Sequence, residues 1–262
     1  MKTVLVTGAA GGMGTAICRT LQAAGWQVYA LDLRPVEMEG VESVCCDLTD
    51  PKALEQVRDG FAEKYSHLDA IVHAAGIYDL DALSEMDDQR FNRIFAINVF
   101  GAARINRLFT PFMGNGGRIT IITSELAPLN PLPFTGIYGV TKAALDKYAY
   151  SLRSELSLRG IHVSVIRPGA VNTGLLNVST SALDRFCANT RYFAPNARHF
   201  KDIVDRVEAR SVAPEKVAGL AEKSLSSAHP RYVYNLNRNI LLRLMSALPD
   251  HLQIFILKQI LK

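Results

Sequence analysis

A tyrosine and a lysine four residues apart, Tyr138 and Lys142, are the residues of this sequence best suited to proton chemistry. They fall within a helical pattern over 137–157, and this spacing places both side chains on one face of a helix. A free phenol has a pKa of about 10, and a neighbouring ammonium favours the phenolate and lowers that pKa. Alone, such a pair is usually two solvated side chains, so its interpretation as an acid–base pair depends on the rest of the chain.

A glycine-rich turn near the N-terminus is typical of a phosphate-binding site. Residues 2–7 form a short apolar run, residues 15–24 have helical periodicity, and the turn around position 10 reads TGAAGGMG. Glycines there let the backbone approach a pyrophosphate, and the helix N-terminus supplies N–H groups and a positive dipole end. The residues of the turn predicted to bind a cofactor are Gly8, Gly12, Met13 and Gly14.

An aspartate after the second predicted strand indicates which dinucleotide binds. The strand covers 27–31, and Asp32 follows it about twenty residues beyond the glycines. A carboxylate at this point accepts hydrogen bonds from the adenosine ribose hydroxyls and repels a 2′-phosphate. Asp32 therefore predicts NAD rather than NADP, and Arg34 is the one nearby feature that favours NADP.

The elements that must position these residues alternate between strand and helix. Further strands are predicted over 41–46, 69–73, 118–123 and 162–166, and helices from Asp50 onward, over 87–112 and over 137–157. Such alternation predicts an α/β fold, a doubly wound parallel sheet covered by helices on both faces in three α/β/α layers. Because neither a linker nor a repeat interrupts the pattern, residues 1–262 are expected to form a single domain.

Several separated motifs now agree with one family. The glycine turn, Asp32 and the Tyr138/Lys142 pair are joined by Asn98 in the run NVFG and by Ser124, fourteen residues before Tyr138. In order and spacing these motifs resemble the classical short-chain dehydrogenase/reductase family, over nearly everything up to about residue 173. The resemblance implies a Rossmann fold and a catalytic set, which comprises Asn98, Ser124, Tyr138 and Lys142.

The same resemblance implies further cofactor contacts. Asp47 and Leu48 match the residues beside the adenine, and Val171 and Thr173 follow an RPG segment that resembles the one holding the nicotinamide carboxamide. The family's Asn-Asn-Ala-Gly run is replaced here by His73-Ala74-Ala75-Gly76. The backbone of Ala75 and Gly76 is still expected to lie beside the cofactor, whereas the side-chain hydrogen bonds of the two asparagines are lost. Tyr138 and Lys142 are also expected to touch the cofactor.

The reaction implied by the resemblance is hydride transfer between NAD(H) and a secondary alcohol or ketone. Tyr138 is expected to be the acid or base, and Lys142 to favour the phenolate and hold the nicotinamide ribose. Ser124 is expected to hydrogen-bond the reacting oxygen, and Asn98 to hold a water that passes the proton outward. The cofactor performs the hydride step, and the protein positions it.

Two segments carry the clues to substrate. Residues 172–212, the expected substrate loop, contain aromatic side chains that line an apolar substrate site or pack the loop onto the domain; they are Phe186, Tyr192, Phe193 and Phe200. After a last strand at 231–234, the apolar segment 236–262 predicts two short helices broken at Pro249. These helices are too short to span a bilayer. Burial against the domain or another subunit is favoured for them, and peripheral membrane contact is the alternative.

A bulky apolar substrate of hydroxysteroid type is the main prediction, because the tail resembles steroid- and retinol-type members of the family. A 3-oxoacyl or polyol (sugar alcohol) substrate is the runner-up. An NAD-binding regulator without turnover is the alternative from another class, and the presence of Ser124, Tyr138 and Lys142 argues against it. The family resemblance also implies a homodimer or homotetramer.

Composition narrows the remaining classes. The chain is 48% apolar, which is enough for a sizeable buried core. Its formal charge is +4, and the first two thirds of the sequence contain no run of like charges, so no nucleic-acid partner is expected. The apolar run after Met1 is too short for a signal peptide. Four cysteines without metal-ligand spacing predict a reducing cytoplasm, and no metal site is expected.

Overall fold

A computed structural model describes residues 1–208 and 211–262. Seven strands form one parallel sheet in the order β3-β2-β1-β4-β5-β6-β7. The strands are β1 Thr3–Thr7, β2 Gln27–Asp32, β3 Val41–Cys45, β4 Ala70–His73, β5 Arg118–Ile122, β6 His162–Pro168 and β7 Val233–Leu236. The strand order reverses direction between β1 and β4, and ligands bind at such a point at the carboxyl edge of the sheet.

Helices connect the strands and cover both faces of the sheet. They are α1 Gly12–Ala23, α2 Pro51–Lys64, α3 Asp88–Phe95, α4 Ala102–Phe109, α5 Gly136–Ser157, α6 Gly174–Asn189, α7 Ala194–Glu208, α8 Pro214–Ser226, α9 Ile240–Ser246 and α10 Asp250–Ile260. The predicted cap of α2 is present, since the Asp50 carboxylate accepts hydrogen bonds from the N–H groups of Lys52 and Ala53.

Alternation of side chains along the strands builds two apolar layers. In β1, Leu5 packs into a core with α2, α4 and α5, whereas Val4 and Val6 face the opposite core under α1 and α8. All three side chains are fully buried. The predicted doubly wound parallel sheet in three layers is therefore confirmed.

The helix predicted over 87–112 is not continuous. Between α3 and α4 the backbone forms a π-helical segment, Ala96–Gly101, and a short 3₁₀ turn, Thr110–Phe112, follows α4. Asn98 lies inside the π-helical segment. An extra residue per turn re-aims side chains, and such segments are frequent at functional sites. The π-helical segment of six residues is too short to change the helical periodicity of the sequence visibly, so the pattern indicated only a helix.

The segment expected as a substrate loop, 172–212, is largely helical. It contains α6 and α7, and Val171 pairs with Val212 in a single parallel bridge that closes its two ends. Residues 209 and 210 of the segment lie outside the described residues. The expectation of a loop was wrong for most of this stretch, because its apolar residues pack as helices. Phe186 and Phe200 are both buried around Phe134.

The C-terminal segment forms the two short helices that its sequence predicts. Strand β7 extends the sheet beside β6, and α9 and α10 follow. In the described part of the chain, no helix is both long and apolar enough to cross a membrane.

A buried ion pair joins the catalytic helix to the neighbouring strand. Arg167 at the end of β6 donates two hydrogen bonds to the carboxylate of Asp146 in α5, at 2.9 and 2.7 Å. The side chains are only 17% and 9% exposed. Asp146 also accepts a hydrogen bond from the Thr123 hydroxyl at the end of β5. This ion pair therefore fixes α5 relative to the carboxyl ends of β5 and β6.

Replacing Arg167 by alanine leaves the Asp146 carboxylate buried without its counter-charge. We expect Arg167→Ala to lower the free energy of unfolding by about 3–5 kcal/mol in urea denaturation at neutral pH. The matched control is Arg58→Ala, which breaks an exposed pair with Asp59 and should cost less than about 1 kcal/mol. Equal losses from the two substitutions would contradict the structural role given to the buried pair.

Candidate active site

The glycine turn after β1 is built for close approach of another group. Gly8 has φ +68, and a Cβ on this residue would lie 2.5 Å from the backbone N and Cα of Ala75. The turn therefore packs directly on the segment after β4, and a side chain at Gly8 would push the two apart. A Cβ on Gly12 would lie 2.9 Å from the Thr173 side chain. Sequence-predicted cofactor residues from three segments, after β1, β4 and β6, thus meet at one edge of the sheet.

A cavity of about 360 Å³ lies beside this turn at the carboxyl ends of β1, β2 and β4. Asp32 lies on its wall and accepts hydrogen bonds from the N–H groups of Ala10, at 3.0 Å, and Arg34, at 3.1 Å. The exposed Arg34 guanidinium donates to the carbonyl of Ala10. The cavity is also lined by other residues predicted to bind the cofactor, namely Gly8, Asp47, Leu48, Ala75 and Gly76. The Asp32 carboxylate fits the adenosine part of a dinucleotide, and the backbone of the glycine turn fits its pyrophosphate.

A second cavity, of about 230 Å³, holds the predicted catalytic side chains Ser124, Tyr138 and Lys142. Ala74 and Gly76 line both cavities. An extended ligand held along the first cavity would therefore end beside Tyr138. Met13, Val171 and Thr173 line this second cavity, which places them at the catalytic end of such a ligand.

Tyr138 and Lys142 lie on the same face of α5, as their spacing predicts, and Ser124 reaches them from the end of β5. Tyr138 and Ser124 are hydrogen-bonded through their side chains. The Lys142 ammonium lies 5.7 Å from the centre of the Tyr138 ring and donates a hydrogen bond to the carbonyl of Ile122, at 3.2 Å. A Cβ on Gly76 would lie 3.3 Å from this ammonium, so only glycine leaves the space open. The three side chains thus form one cluster.

Burial controls the protonation of the cluster. Desolvation raises the pKa of Tyr138 to about 12, and the hydrogen bond with Ser124 opposes this shift. Desolvation also lowers the pKa of Lys142 to about 8, with the side chain only 5% exposed. The expectation that Lys142 lowers the pKa of Tyr138 is wrong for the protein alone. The reason is that desolvation of the buried phenol is the largest influence on the pKa of Tyr138.

Asn98 clamps the turn after β4 to the catalytic helix. Its amide oxygen accepts a hydrogen bond from the N–H of Ile77, at 2.8 Å, and its amide nitrogen donates to the carbonyl of Ile77, at 3.0 Å. The same nitrogen donates to the hydroxyl of Thr141, at 3.1 Å, and that hydroxyl donates to the carbonyl of Tyr138. The side chain of Asn98 is 1% exposed. The water-holding role of Asn98 stays a prediction, and its amide bonds identify it as a positioning residue.

Thr141 was missed by sequence reasoning. It lies between Tyr138 and Lys142, is fully buried, and links Asn98 to the backbone of the catalytic helix. The signal was present in the sequence, because a position three residues after Tyr138 and one before Lys142 faces the same side of the helix as the tyrosine. A threonine in a helix ordinarily bonds its own backbone, so only the contact with Asn98 reveals the role.

The family's first asparagine after β4 is replaced by a buried histidine. His73 contacts the amide oxygen of Asn106 through Nε2, at 2.9 Å, and Asn106 donates to the Tyr148 hydroxyl, at 3.1 Å. Burial lowers the pKa of His73 to about 4, so the ring is neutral at physiological pH. An asparagine side chain is expected to be missing at this position. His73 instead takes part in a separate buried network that joins β4, α4 and α5.

The surface of the catalytic cavity is mostly apolar, although its lining also includes polar side chains, namely Thr123, Ser124, Glu125, Thr135, Tyr138, Lys142 and Thr173. Its apolar side chains come from five parts of the chain, and they include Met13, Tyr78, Leu126, Leu132, Phe200, Ile203, Val204 and Leu242. Of the four aromatics predicted for the substrate segment, Phe200 lines the cavity, Phe186 and Phe193 pack against Phe134, and Tyr192 is 71% exposed. Phe186 and Phe193 therefore fit the packing interpretation, Phe200 lies where a substrate contact is predicted, and Tyr192 fits neither interpretation.

Glu125 is a second residue that the sequence did not single out. It follows Ser124, is 8% exposed and lines the catalytic cavity. Its carboxylate accepts a hydrogen bond from the N–H of Asn239 at the start of α9, at 2.6 Å. Burial raises the pKa of Glu125, while the Asn239 bond and the nearby Arg238 oppose the shift. The residue next to Ser124 thus fastens the C-terminal helices to the active site.

Comparison with known proteins agrees with this geometry. The family model described as short chain dehydrogenase matches residues 2–184. The chain therefore belongs to the short-chain dehydrogenase family and is an oxidoreductase. The family generally uses nicotinamide cofactors, in agreement with the glycine cradle and the adjoining cavity.

Three relatives differ in what they act on and in how much of the chain they match. L-2,3-butanediol dehydrogenase of Corynebacterium glutamicum is 28% identical and covers 88% of this chain and 94% of its own. Estradiol 17-beta-dehydrogenase 2 of Rattus norvegicus is also 28% identical and covers 69% of this chain, which matches 51% of the relative's length. 3-ketodihydrosphingosine reductase of Bacteroides thetaiotaomicron is 23% identical over 98% of this chain and 97% of its own. The last match extends through the C-terminal helices.

Removing the Tyr138 hydroxyl tests its role as acid or base. We expect Tyr138→Phe to lower kcat by at least about 10²-fold, because a positioned acid–base group contributes that much, with little change in dinucleotide affinity. Steady-state kinetics and fluorescence titration with the reduced dinucleotide measure the two quantities. The matched control is Tyr192→Phe, an exposed tyrosine, which should leave both unchanged. Near-normal turnover of Tyr138→Phe would remove this residue from the mechanism.

The lowered pKa of Lys142 predicts a pH-dependent contribution to stability. Below pH 8 both folded and unfolded chains carry the proton, and the burial penalty is complete. Between the folded pKa of about 8 and the unfolded value of 10.5, only the unfolded chain holds it, so stability rises with pH. We expect the wild type to gain stability relative to Lys142→Met as the pH rises through this window. The difference between their free energies of unfolding, variant minus wild type, should fall by an amount on the order of 3 kcal/mol. A difference independent of pH would show that Lys142 titrates normally.

Proposed function

We propose that the protein transfers hydride between NAD(H) and a secondary alcohol or ketone whose body is bulky and apolar. The observation that carries this proposal is the convergence of Ser124, Tyr138 and Lys142 on one cavity whose surface is mostly apolar. This cavity and the cavity beside the glycine turn share Ala74 and Gly76 in their walls. The arrangement leaves space for a carbonyl or hydroxyl between these catalytic side chains and the cofactor-binding edge of the sheet.

The residues of the chain have separate tasks in this reaction. A bound nicotinamide ring supplies or accepts the hydride. In the reductive direction Tyr138 gives its phenolic proton to the oxygen of the ketone, and in the oxidative direction its phenolate takes the hydroxyl proton. Ser124 hydrogen-bonds the same oxygen and stabilises the charge that develops there. Lys142, when protonated, stabilises the phenolate that remains on Tyr138.

The choice of NAD over NADP rests on Asp32. Its carboxylate is held in place by two backbone N–H groups on the wall of the adenosine cavity, where it is expected to accept bonds from ribose hydroxyls. The 2′-phosphate of NADP would be repelled by this negative charge. Arg34 offers a positive charge nearby, but its guanidinium is already bonded to the carbonyl of Ala10. These contacts support NAD as the preferred cofactor.

The apolar walls support a large hydrophobic substrate. Most of the cavity surface is apolar, which favours a hydrophobic substrate over a polyol or sugar alcohol. Two of the three relatives have names that denote hydrophobic substrates, an estradiol and a ketodihydrosphingosine, and the third denotes a small diol. The match to the ketodihydrosphingosine reductase adds a long-chain ketone to the hydroxysteroid class. A regulator without turnover is disfavoured by the complete cluster around Tyr138.

A homodimer or homotetramer remains our proposal, as does a cytoplasmic location. Large apolar side chains of α3, the π-helical segment and α5 are exposed, among them Phe91 (39%), Phe100 (49%) and Tyr150 (57%). Their rings would supply the apolar centre of a subunit interface.

A substrate panel tests the proposed function. The purified protein is incubated with NAD⁺ or NADP⁺ and, in turn, estradiol, a long-chain 3-hydroxy amine, 2,3-butanediol or an aldohexose, and formation of the reduced cofactor is followed by its absorbance. We expect kcat/KM to be higher by at least about 10-fold with NAD⁺ than with NADP⁺, and higher for the two hydrophobic alcohols than for the others. Asp32→Asn should reduce the ratio of kcat/KM with NAD⁺ to kcat/KM with NADP⁺. Turnover of only the aldohexose, or cofactor binding without any turnover, would refute the proposal.

A further inference from the structure

The two C-terminal helices expose an unusual amount of apolar surface. In the described part of the chain sixteen large hydrophobic side chains are exposed, and half of them lie between residues 240 and 260. They are Ile240, Leu241, Leu244, Leu248, Leu252, Ile254, Phe255 and Ile260. Soluble monomers rarely concentrate their exposed apolar side chains in this way, and such concentrations mark interaction surfaces. We call these eight side chains the outer face of α9 and α10.

This outer face is held in place by the opposite side of the same helices. The Glu125 carboxylate accepts a hydrogen bond from Asn239, and the Asn130 amide donates to Gln253 of α10, at 3.2 Å. Leu261 is only 7% exposed and packs in a core cluster with Phe186. On this inner side Gln253 is buried and Leu242, Ile256 and Leu257 are partly buried. The helices are therefore held on the domain, and the outer face is the side that stays exposed.

Positive charge is concentrated in the same segment. Arg238, Arg243, Lys258 and Lys262 against the single carboxylate of Asp250 give residues 236–262 a formal charge of +3, whereas the whole chain carries +4. Arg243, Lys258 and Lys262 are exposed. An apolar helix face accompanied by basic side chains is the pattern that binds the surface of an anionic bilayer.

We propose that the outer face of α9 and α10 docks the protein on an anionic lipid bilayer, with the helices lying in the interface. The 11 residues of α10 span about 16 Å, roughly half of the hydrocarbon thickness, so the helix lies on the membrane and does not cross it. A second copy of this chain is the less suitable occupant. A symmetric interface would place one segment of charge +3 against another, whereas anionic headgroups neutralise that charge.

The position of the outer face also relates it to the catalytic cavity. Leu242 of α9 lines that cavity and also a small void shared with α10. A bilayer docked on the outer face would therefore lie one helix away from the cavity. On the proposed function, a hydrophobic substrate would then enter from lipid. Docking itself is independent of turnover and is measured without any substrate.

The test is co-sedimentation of the full chain with lipid vesicles. We expect the wild type to sediment with vesicles of phosphatidylcholine mixed with phosphatidylglycerol, to bind phosphatidylcholine alone much less, and to be released from the mixed vesicles by salt. Ile254→Gln with Phe255→Gln should weaken partitioning by at least about tenfold, because two exposed apolar side chains no longer enter the bilayer. The matched control is Leu158→Gln, an exposed leucine at the end of α5, which should bind like the wild type.

A second pair of variants tests the charge separately. Lys258→Gln with Lys262→Gln should reduce binding to mixed vesicles and its salt dependence, and Lys147→Gln, on α5, should not. Circular dichroism confirms that each variant is folded. Absence of wild-type binding to either vesicle, or equal binding by the Ile254/Phe255 variant, would overturn the proposal. Self-association in sedimentation velocity that these substitutions abolish, without vesicle binding, would assign the outer face to a second copy and would also overturn it.

Discussion

The site depends on the burial of one ammonium group. Lys142 is almost fully enclosed, with the carbonyl of Ile122 as its hydrogen-bond partner and the bare backbone of Gly76 nearby. Enclosure lowers its pKa to about 8, close to physiological pH, so small changes in its surroundings alter its charge. The same desolvation keeps the proton on Tyr138. The free protein therefore holds a neutral phenol ready to act as an acid, and added positive charge beside the phenol favours its conversion to a base.

The fold supplies this enclosure through contacts that are far apart in sequence. Asn98 holds the turn after β4 against α5, and the Asp146–Arg167 pair holds α5 against β6. Glu125 then ties the strand end that carries Ser124 to the start of α9. Gly169 allows the chain at Asn237 to approach closely, since a Cβ at Gly169 would lie 2.0 Å from the carbonyl oxygen of Asn237. The C-terminal helices are thus part of the wall around the reaction centre. One hydrogen bond links the start of α9 to Glu125, the residue next to Ser124.

Local pattern was enough to predict the layers, the sheet and the shared face of Tyr138 and Lys142, because strand alternation and helical spacing depend on neighbours in sequence. The place of Ser124 beside them was implied by the family resemblance. It was not enough for the π-helical turn at Asn98, since that register depends on the amide contacts with Ile77 and Thr141. The pKa of Tyr138 was predicted in the wrong direction because burial is a property of the folded chain. Glu125 escaped notice for the same reason, as its partner Asn239 lies 114 residues away.

The central claim is that burial, and not the charge of Lys142, sets the protonation of Tyr138 in the free protein. Carbon-13 NMR of protein labelled at the tyrosine ring carbon that bears the hydroxyl measures it directly, with the Tyr138 signal assigned by its loss in Tyr138→Phe. The account predicts that Tyr138 keeps its proton through pH values up to about 10, the range in which an unperturbed tyrosine is already half ionised. A Tyr138 phenolate that forms below about pH 9 would contradict it, and would show that Lys142 keeps its charge inside the cluster.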